Sequence, residues 1–138
     1  MLSTVWAYLV YTWGGLHRYF GNHSHIRSEH ETAVRYFARA YTIAPDYRQA
    51  RLARGVLLAR ELGRYDEALA EFNWLLARDA ANGEAILNRA MLYQQIGNFE
   101  AALADFEAYT ARGGALEYME EAERTAVILR ELLAEKRA

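Results

Sequence analysis

The chain of 138 residues contains no cysteine. Disulfides, thiolate metal sites and a cysteine nucleophile are therefore excluded. A single proline and nine glycines leave room for long helices joined by short turns. Apolar residues make up 53% and charged residues 25%, as in an ordinary globular protein. These proportions favour an all-α domain that is large enough to bury one core.

The sequence also lacks the motifs of the common catalytic sites. It has no glycine-rich phosphate loop and no His-Glu-x-x-His, and none of its three serines is expected at a strand-to-helix elbow. His23 and His25 resemble a fragment of a metal site, but on a helix they would point about 200° apart. The adjacent carboxylates Asp66 and Glu67 are expected on a solvated helix surface. We therefore expect no catalytic residue, no cofactor and no metal.

A repeat of 34 residues organises the chain. The ten residues 63–72 return as residues 97–106, and Gly63 and Gly97 correspond, as do Ala68 and Ala102. Glycine at such a place ends a helix, because it adopts the left-handed backbone without a Cβ clash. Alanine early in the next helix lets two helices approach closely. Large residues, also 34 apart, fill the space beside them: Tyr65 and Phe99, Phe72 and Phe106. A helical pair of this size cannot bury its apolar face alone, so the repeat predicts stacked pairs.

This pattern resembles the tetratricopeptide repeat (TPR), in which each unit is a pair of antiparallel helices. The resemblance implies an all-α, right-handed α-solenoid of about three helix-turn-helix units, with an aromatic-rich N-terminal helix and a C-terminal capping helix. We expect a single TPR domain over residues 1–138. Its parts would be an apolar helical extension at 1–13, a degenerate repeat 1 at 14–45, repeat 2 at 46–80, repeat 3 at 81–114 and the capping helix at 115–138.

Two helix starts are predicted from capping residues. Ser28 and Glu31 have the spacing of a capping box, which would start the second helix of repeat 1 after a first helix at about 14–27. Asp46, with Gln49 three residues on, is the predicted N-cap of the first helix of repeat 2.

Residues 1–16 carry no charge and include four aromatic side chains. Six apolar residues at spacings of 4, 3, 4, 3 and 4 form one line along a helix, here called the apolar stripe: Leu2, Trp6, Leu9, Trp13, Leu16 and Phe20. Sixteen helical residues span only ~24 Å, too short for a membrane crossing, and the basic start of a signal peptide is missing. The stripe is expected to pack against the repeats or a second copy, or to contact a membrane surface. Trp6, Leu9 and Trp13 are its candidate contact residues.

The resemblance further implies a binding groove, because the first helix of each TPR pair lines the concave face. Matched position by position, its lining is Arg18, Asn22, His25, Ala53, Arg54, Leu57, Arg60, Leu87, Asn88, Met91 and Gln94. Some TPR proteins clamp a terminal carboxylate at such sites. Arg18 and Asn22 match the opening pair of that clamp, whereas Arg54, Leu87 and Met91 replace its other members. The groove is therefore expected to favour an apolar helix or an extended segment.

Charge is unevenly spread along the chain. Residues 1–60 carry eight basic and three acidic side chains, and residues 61–138 carry eight basic and fifteen acidic ones. Arg48, Arg51 and Arg54 recur every three residues, which predicts either a solvated row or a surface for an acidic partner. Nucleic acid is not expected, because the row lacks interleaved aromatics and the domain is mildly acidic.

These features predict a non-catalytic interaction module or scaffold that binds a peptide or protein segment in the concave groove. The alternative is a structural or assembly subunit that self-associates, or docks on a membrane protein or membrane surface, through its N-terminal aromatic helix. The expected location is cytoplasmic, and peripheral to a membrane if the stripe contacts lipid.

Overall fold

The computed structural model describes residues 1–138, which form seven helices and no strand. The helices are α1 (Leu2–Ser24), α2 (Arg27–Ile43), α3 (Arg48–Leu57), α4 (Tyr65–Arg78), α5 (Gly83–Gln95), α6 (Phe99–Arg112) and α7 (Leu116–Arg137). A π-helical turn, Leu58–Leu62, extends α3. The all-α prediction is confirmed. The chain divides into two compact units, Met1–Leu75 and Leu76–Ala138.

Glycine ends the first helix of each repeated pair, as the sequence predicts. Gly63 has φ of 64° and Gly97 has φ of 83°, both in the left-handed region that glycine adopts without strain. The amide after each glycine then donates back into the preceding turn: Arg64 to the Leu58 carbonyl at 3.0 Å, Asn98 to that of Tyr93 at 2.9 Å. These bonds satisfy carbonyls that the helix end would leave without partners.

The predicted capping box at Ser28 is wrong. Helix α2 begins at Arg27 with Ile26 as its N-cap, and no side chain caps it. The Glu31 carboxylate instead accepts a hydrogen bond from Arg64 at 2.8 Å. An ion pair with a residue distant in sequence has therefore replaced the local bond.

The N-cap predicted at Asp46 is also wrong, since α3 starts at Arg48 after Tyr47 and has no side-chain cap. Side-chain caps occur in the second unit. The Asn82 side chain accepts from the Ala85 amide at 3.1 Å, and Asn98 accepts from the Ala101 amide at 3.3 Å. Asparagine suits this position, because its side-chain oxygen satisfies one of the free amides of the first turn.

Helix α1 is continuous through the point where a boundary was expected. The sequence predicts an extension at 1–13 and a separate helix at about 14–27. Instead, one helix runs from Leu2 to Ser24, and it ends at His25, whose backbone is in the left-handed conformation. Gly14 lies in its interior because a Cβ there would come within 2.7 Å of the Phe37 ring of α2. Close packing against α2 thus offsets the ~1 kcal/mol that an interior glycine costs a helix.

Alanines on the second helices are fully buried. Ala33 on α2 and Ala68 on α4 are fully buried in the first unit, and Ala102 on α6 is fully buried in the second. A buried phenylalanine follows each of them by four residues, one turn along the same face: Phe37, Phe72 and Phe106. The small-and-large pattern read from the sequence therefore forms the core.

Helix α7 covers the second unit. Ala122, Ala126 and Leu129 pack with Ala90 and Phe106 in one buried cluster. Five glutamates are exposed on its other side, as expected of a capping helix: Glu120, Glu121, Glu123, Glu131 and Glu135. Leu116, in the first turn of α7, is 75% exposed.

We expect Ala68→Leu to destabilise the fold by about 1–3 kcal/mol, because added methylenes have no space at a fully buried helix contact. Ala70→Leu, on the exposed face of the same helix, should change stability by less than about 0.5 kcal/mol. Urea unfolding of both variants measures the difference. Equal stabilities would show that close approach at Ala68 is not required.

Candidate functional site

Two predicted groove residues of α1 are held by side chains of α2. The Arg18 guanidinium lies 5.7 Å from the centroid of the Phe37 ring. The Asn22 side-chain oxygen lies 2.8 Å from Nε2 of His30, whose side chain is buried. Arg18 and Asn22 are one turn apart, so they share one face of α1. They contribute a polar edge to that helix.

The predicted groove residues of α3 differ in accessibility. Ala53 is 7% exposed and Leu57 is 3% exposed, so their side chains belong to the core of the first unit and offer a ligand almost no surface. Arg60, in the π-helical turn, is exposed. Leu57 and Met91 hold equivalent positions 34 residues apart, so the repeat alone did not predict that Leu57 would be buried and Met91 exposed.

A buried carboxylate organises the arginines of α3. Glu71 on α4 is 4% exposed and accepts hydrogen bonds from Arg54 at 2.8 Å, Arg51 at 3.2 Å and the Tyr41 hydroxyl at 2.8 Å. The Arg51 guanidinium carbon lies 4.0 Å from the Tyr41 ring centroid and 3.9 Å from that of Trp74, a cation–π sandwich. Burial, and then the hydrogen bond to Glu71, raise the pKa of Tyr41.

This cluster changes the interpretation of the arginine row. Arg51 and Arg54 bind Glu71 within the chain, and Arg54 also contacts Glu67 at 3.2 Å. The prediction of a solvated row is therefore wrong for these two residues, and their charges are already compensated. Arg48 alone of the three is exposed.

Arg64 joins the start of α4 to α2. It donates to Glu67 from Nε at 2.5 Å and to Glu31 from Nη1 at 2.8 Å. The hydrogen bond from Arg64 is the largest effect that lowers the pKa of Glu67. A carboxyl with a lowered pKa stabilises the fold above its ordinary pKa, and this contribution is lost as the pH falls through the lowered value.

The second unit repeats the buried carboxylate with a different arginine. Asp105, 34 residues after Glu71, is 7% exposed and accepts two hydrogen bonds from Arg89, at 2.7 and 2.8 Å. The hydrogen bond to Asp105 is the main effect that raises the pKa of Arg89. Sequence reasoning missed both carboxylates. The sequence does contain a signal for them, since an acidic residue directly precedes the repeated phenylalanine in both repeats, as Glu71 and as Asp105.

The predicted groove residues of α5 include an exposed apolar side chain. Met91 is 39% exposed, and Leu87, one turn before it, packs against the core cluster of the second unit. The Asn88 amide donates to the Glu84 carbonyl at 2.8 Å, and Gln94 is exposed. We call Leu87, Asn88, Met91 and Gln94 the α5 surface. It carries no charge, so it suits an apolar ligand.

The apolar stripe of α1 faces solvent. Trp6 is 53% exposed, Leu9 46% and Trp13 56%, and the other three members are exposed as well. The expectation that the stripe packs against the repeats of its own chain is therefore wrong. The buried residues of α1 are instead small, Ala7, Gly14 and Gly21, together with Val10, and Tyr11 packs beside them against the Phe37 ring of α2, with centroids 5.5 Å apart.

The histidines lie near the junction of α1 and α2. His17 pairs with Glu29 at 2.5 Å and stacks on the Tyr36 ring, with centroids 5.4 Å apart. No group of three His, Asp or Glu side chains is placed to hold a metal ion. None of the seven helices has both the length and the hydropathy that a membrane span requires.

Comparison with known proteins identifies the repeat. Residues 83–112, which are α5 and α6, match the family model of the tetratricopeptide repeat. Among solved structures, the chain is similar to the TPR domain of Arabidopsis OM64, with a TM-score of 0.66. The two are 18% identical, and the likeness covers 88% of this chain and 98% of that one. No curated protein shows significant similarity to the sequence. The chain thus contains a tetratricopeptide repeat within the fold of a TPR domain, and the predicted TPR resemblance is confirmed.

We expect Glu71→Ala to destabilise the protein by about 3–5 kcal/mol, since the mostly buried guanidinium groups of Arg51 and Arg54 lose this carboxylate and only Arg54 keeps a contact to Glu67. Glu107→Ala removes an exposed partner of Arg130 and should cost at most about 1 kcal/mol. Urea denaturation at neutral pH measures both. A small loss for Glu71→Ala would mean that the arginines are solvated after all.

Proposed function

We propose that this protein is a non-catalytic interaction module that binds a peptide or protein segment on the first helices of its helical pairs. The TPR fold supports this function, because TPR domains generally act by binding other proteins. The observation that carries the proposal is the α5 surface. It lies on the first helix of the repeat that the family model matches, and it presents an exposed Met91 beside uncharged neighbours.

The chemistry of the α5 surface selects the kind of ligand. Methionine is unbranched and polarisable, so it adapts to apolar groups of different shapes. Leu87 extends the apolar surface toward the core, while Asn88 and Gln94 offer amide groups for hydrogen bonds. An apolar helix or an extended segment with one large apolar anchor fits this combination.

In the first unit, the proposed contacts are Arg18, Asn22 and Arg60. Arg54 was proposed in the same set, but its bonds to Glu71 and Glu67 leave it as a support of the fold. Ala53 and Leu57 are buried and are not proposed as direct contacts. Because Arg51 and Arg54 are compensated internally, an acidic ligand gains little from them.

Met91→Glu tests this function. A carboxylate at the centre of the α5 surface must be desolvated by an apolar ligand, so we expect loss of the proteins that the wild-type chain enriches from native lysate. Ala104→Glu is the matched control, with the same charge change at an exposed position of α6 in the same repeat. Quantitative mass spectrometry of the captured proteins compares the three chains. Capture by Met91→Glu at the wild-type level would rule out the α5 surface.

A second candidate is a structural subunit that associates through α1, with another copy or with a membrane protein or membrane surface. The exposure of the apolar stripe favours it. Solvent-facing tryptophans in a row are costly for a chain without a partner, and contiguous apolar surface of this kind marks interaction sites.

A further inference from the structure

Helix α1 has the reverse of the usual distribution of side chains. Its small residues Ala7, Gly14 and Gly21, each seven apart, face α2, and its large apolar residues face outward. Two positions of the inner face cannot accept larger groups, because a Cβ at Gly14 would lie 2.7 Å from the Phe37 ring and one at Gly21 would lie 2.5 Å from the His30 ring. The bulky outer face therefore lacks the cover that an ordinary surface helix finds in its own core.

The spacing of the apolar stripe specifies the shape of what covers it. Its members alternate at intervals of 4 and 3 residues over roughly 27 Å of helix, so that each position recurs after seven residues, or 3.5 per turn. That period is the seam of a two-helix coiled coil, in which each side chain inserts between four residues of a facing helix. A lipid surface does not require this seven-residue spacing. Val5 and Tyr19 are exposed beside the stripe, so its width suits either partner, but a lipid-binding helix favours Lys or Arg beside its apolar face, and residues 1–16 contain no Lys and no Arg.

The order of residues along the stripe specifies the partner. Leucine alternates with an aromatic residue: Leu2, Trp6, Leu9, Trp13, Leu16 and Phe20. Against an antiparallel copy of itself, Leu9 faces Trp13, Leu16 faces Trp6 and Leu2 faces Phe20, so every layer combines one leucine with one aromatic. A parallel copy would place tryptophan against tryptophan in some layers and leucine against leucine in others. Antiparallel self-pairing is the arrangement that keeps the volume of the layers even.

We propose that two copies of this chain associate through an antiparallel α1–α1 contact along the apolar stripe. This inference rests on the second function proposed above and is independent of the α5 surface. Residues 1–16 carry no charge, so the central layers bring no like charges together.

The available area fits a modest dimer. Each of the six side chains presents on the order of 100 Å² of free surface. Two copies together then bury roughly 1,200 Å², the lower bound for a stable interface. We therefore expect a dimer that dissociates on dilution, with a dissociation constant on the order of micromolar.

Sedimentation of the full-length protein over a series of concentrations tests the contact. The wild type should change from monomer to dimer as concentration rises, and Leu9→Lys should remain monomeric because the two-fold axis places two buried charges near the centre. Tyr8→Lys is the control. Tyr8 is 59% exposed on the same helix but off the stripe, and this variant should dimerise like the wild type. Since Leu9 is also exposed, circular dichroism should show both variants folded.

Disulfide trapping tests the orientation, since the natural chain has no cysteine. When Leu2→Cys and Phe20→Cys chains are mixed and oxidised, the mixed disulfide should exceed both homodisulfides. An excess of the Leu2→Cys homodisulfide would overturn the antiparallel arrangement.

A wild type that stays monomeric at every concentration would overturn the proposal. If that monomer co-sedimented with phosphatidylcholine vesicles and Leu9→Lys did not, the stripe would be a lipid contact instead. If Leu9→Lys does not dimerise but still captures the proteins that Met91→Glu loses, the first proposed function is independent of the dimer.

Discussion

Close approach of helix backbones is the constraint on which this structure depends. Alanines at fixed positions of the second helices, and glycines on α1, leave no space between paired helices. Phenylalanines one turn further on are buried as well, and two of them lie against glycines of the first helix of their own pair, Phe37 against Gly14 and Phe72 against Gly55. A helix that must come close to its neighbour can present only small groups there, so its larger side chains are placed on its other faces. The surfaces available for binding follow from that division.

This separation of small side chains at helix contacts from large side chains on the other faces has different consequences along the chain. In α7 the outer face carries several exposed glutamates, with Val127 and Ile128 exposed among the charged residues, so most of its surface is solvated. In α1 the outer face is leucine, tryptophan and phenylalanine, so the same packing rule leaves apolar surface exposed. In α5 the exposed apolar group is a single methionine among uncharged side chains. On these surfaces we base the two proposals, association through α1 and ligand binding on α5.

The elements predicted best from sequence were those fixed by local chemistry. Gly63 and Gly97 end helices because their backbone is left-handed, and the helices that the repeat predicts after them begin at Tyr65 and Phe99. The capping predictions at Ser28 and Asp46 were wrong. Glu31 accepts a hydrogen bond from Arg64, which is distant in sequence, and α3 begins only at Arg48.

The burial of equivalent positions could not be predicted from sequence either. Leu57 and Met91 hold equivalent positions, yet one is core and the other is surface. Glu71 had to be buried among Arg51, Arg54 and Tyr41 before its role was visible, and nothing in the local sequence sets that geometry.

The central claim is that packing against α2 displaces the large side chains of α1 outward, where another chain covers them. Intrinsic tryptophan fluorescence measured during dilution tests this most directly, because Trp6 and Trp13 are two of the three tryptophans and both lie in the stripe. The emission maximum should shift to longer wavelength as the protein is diluted, since both indoles become solvated when the copies separate. An emission maximum that is already solvent-like and does not change with concentration would contradict it.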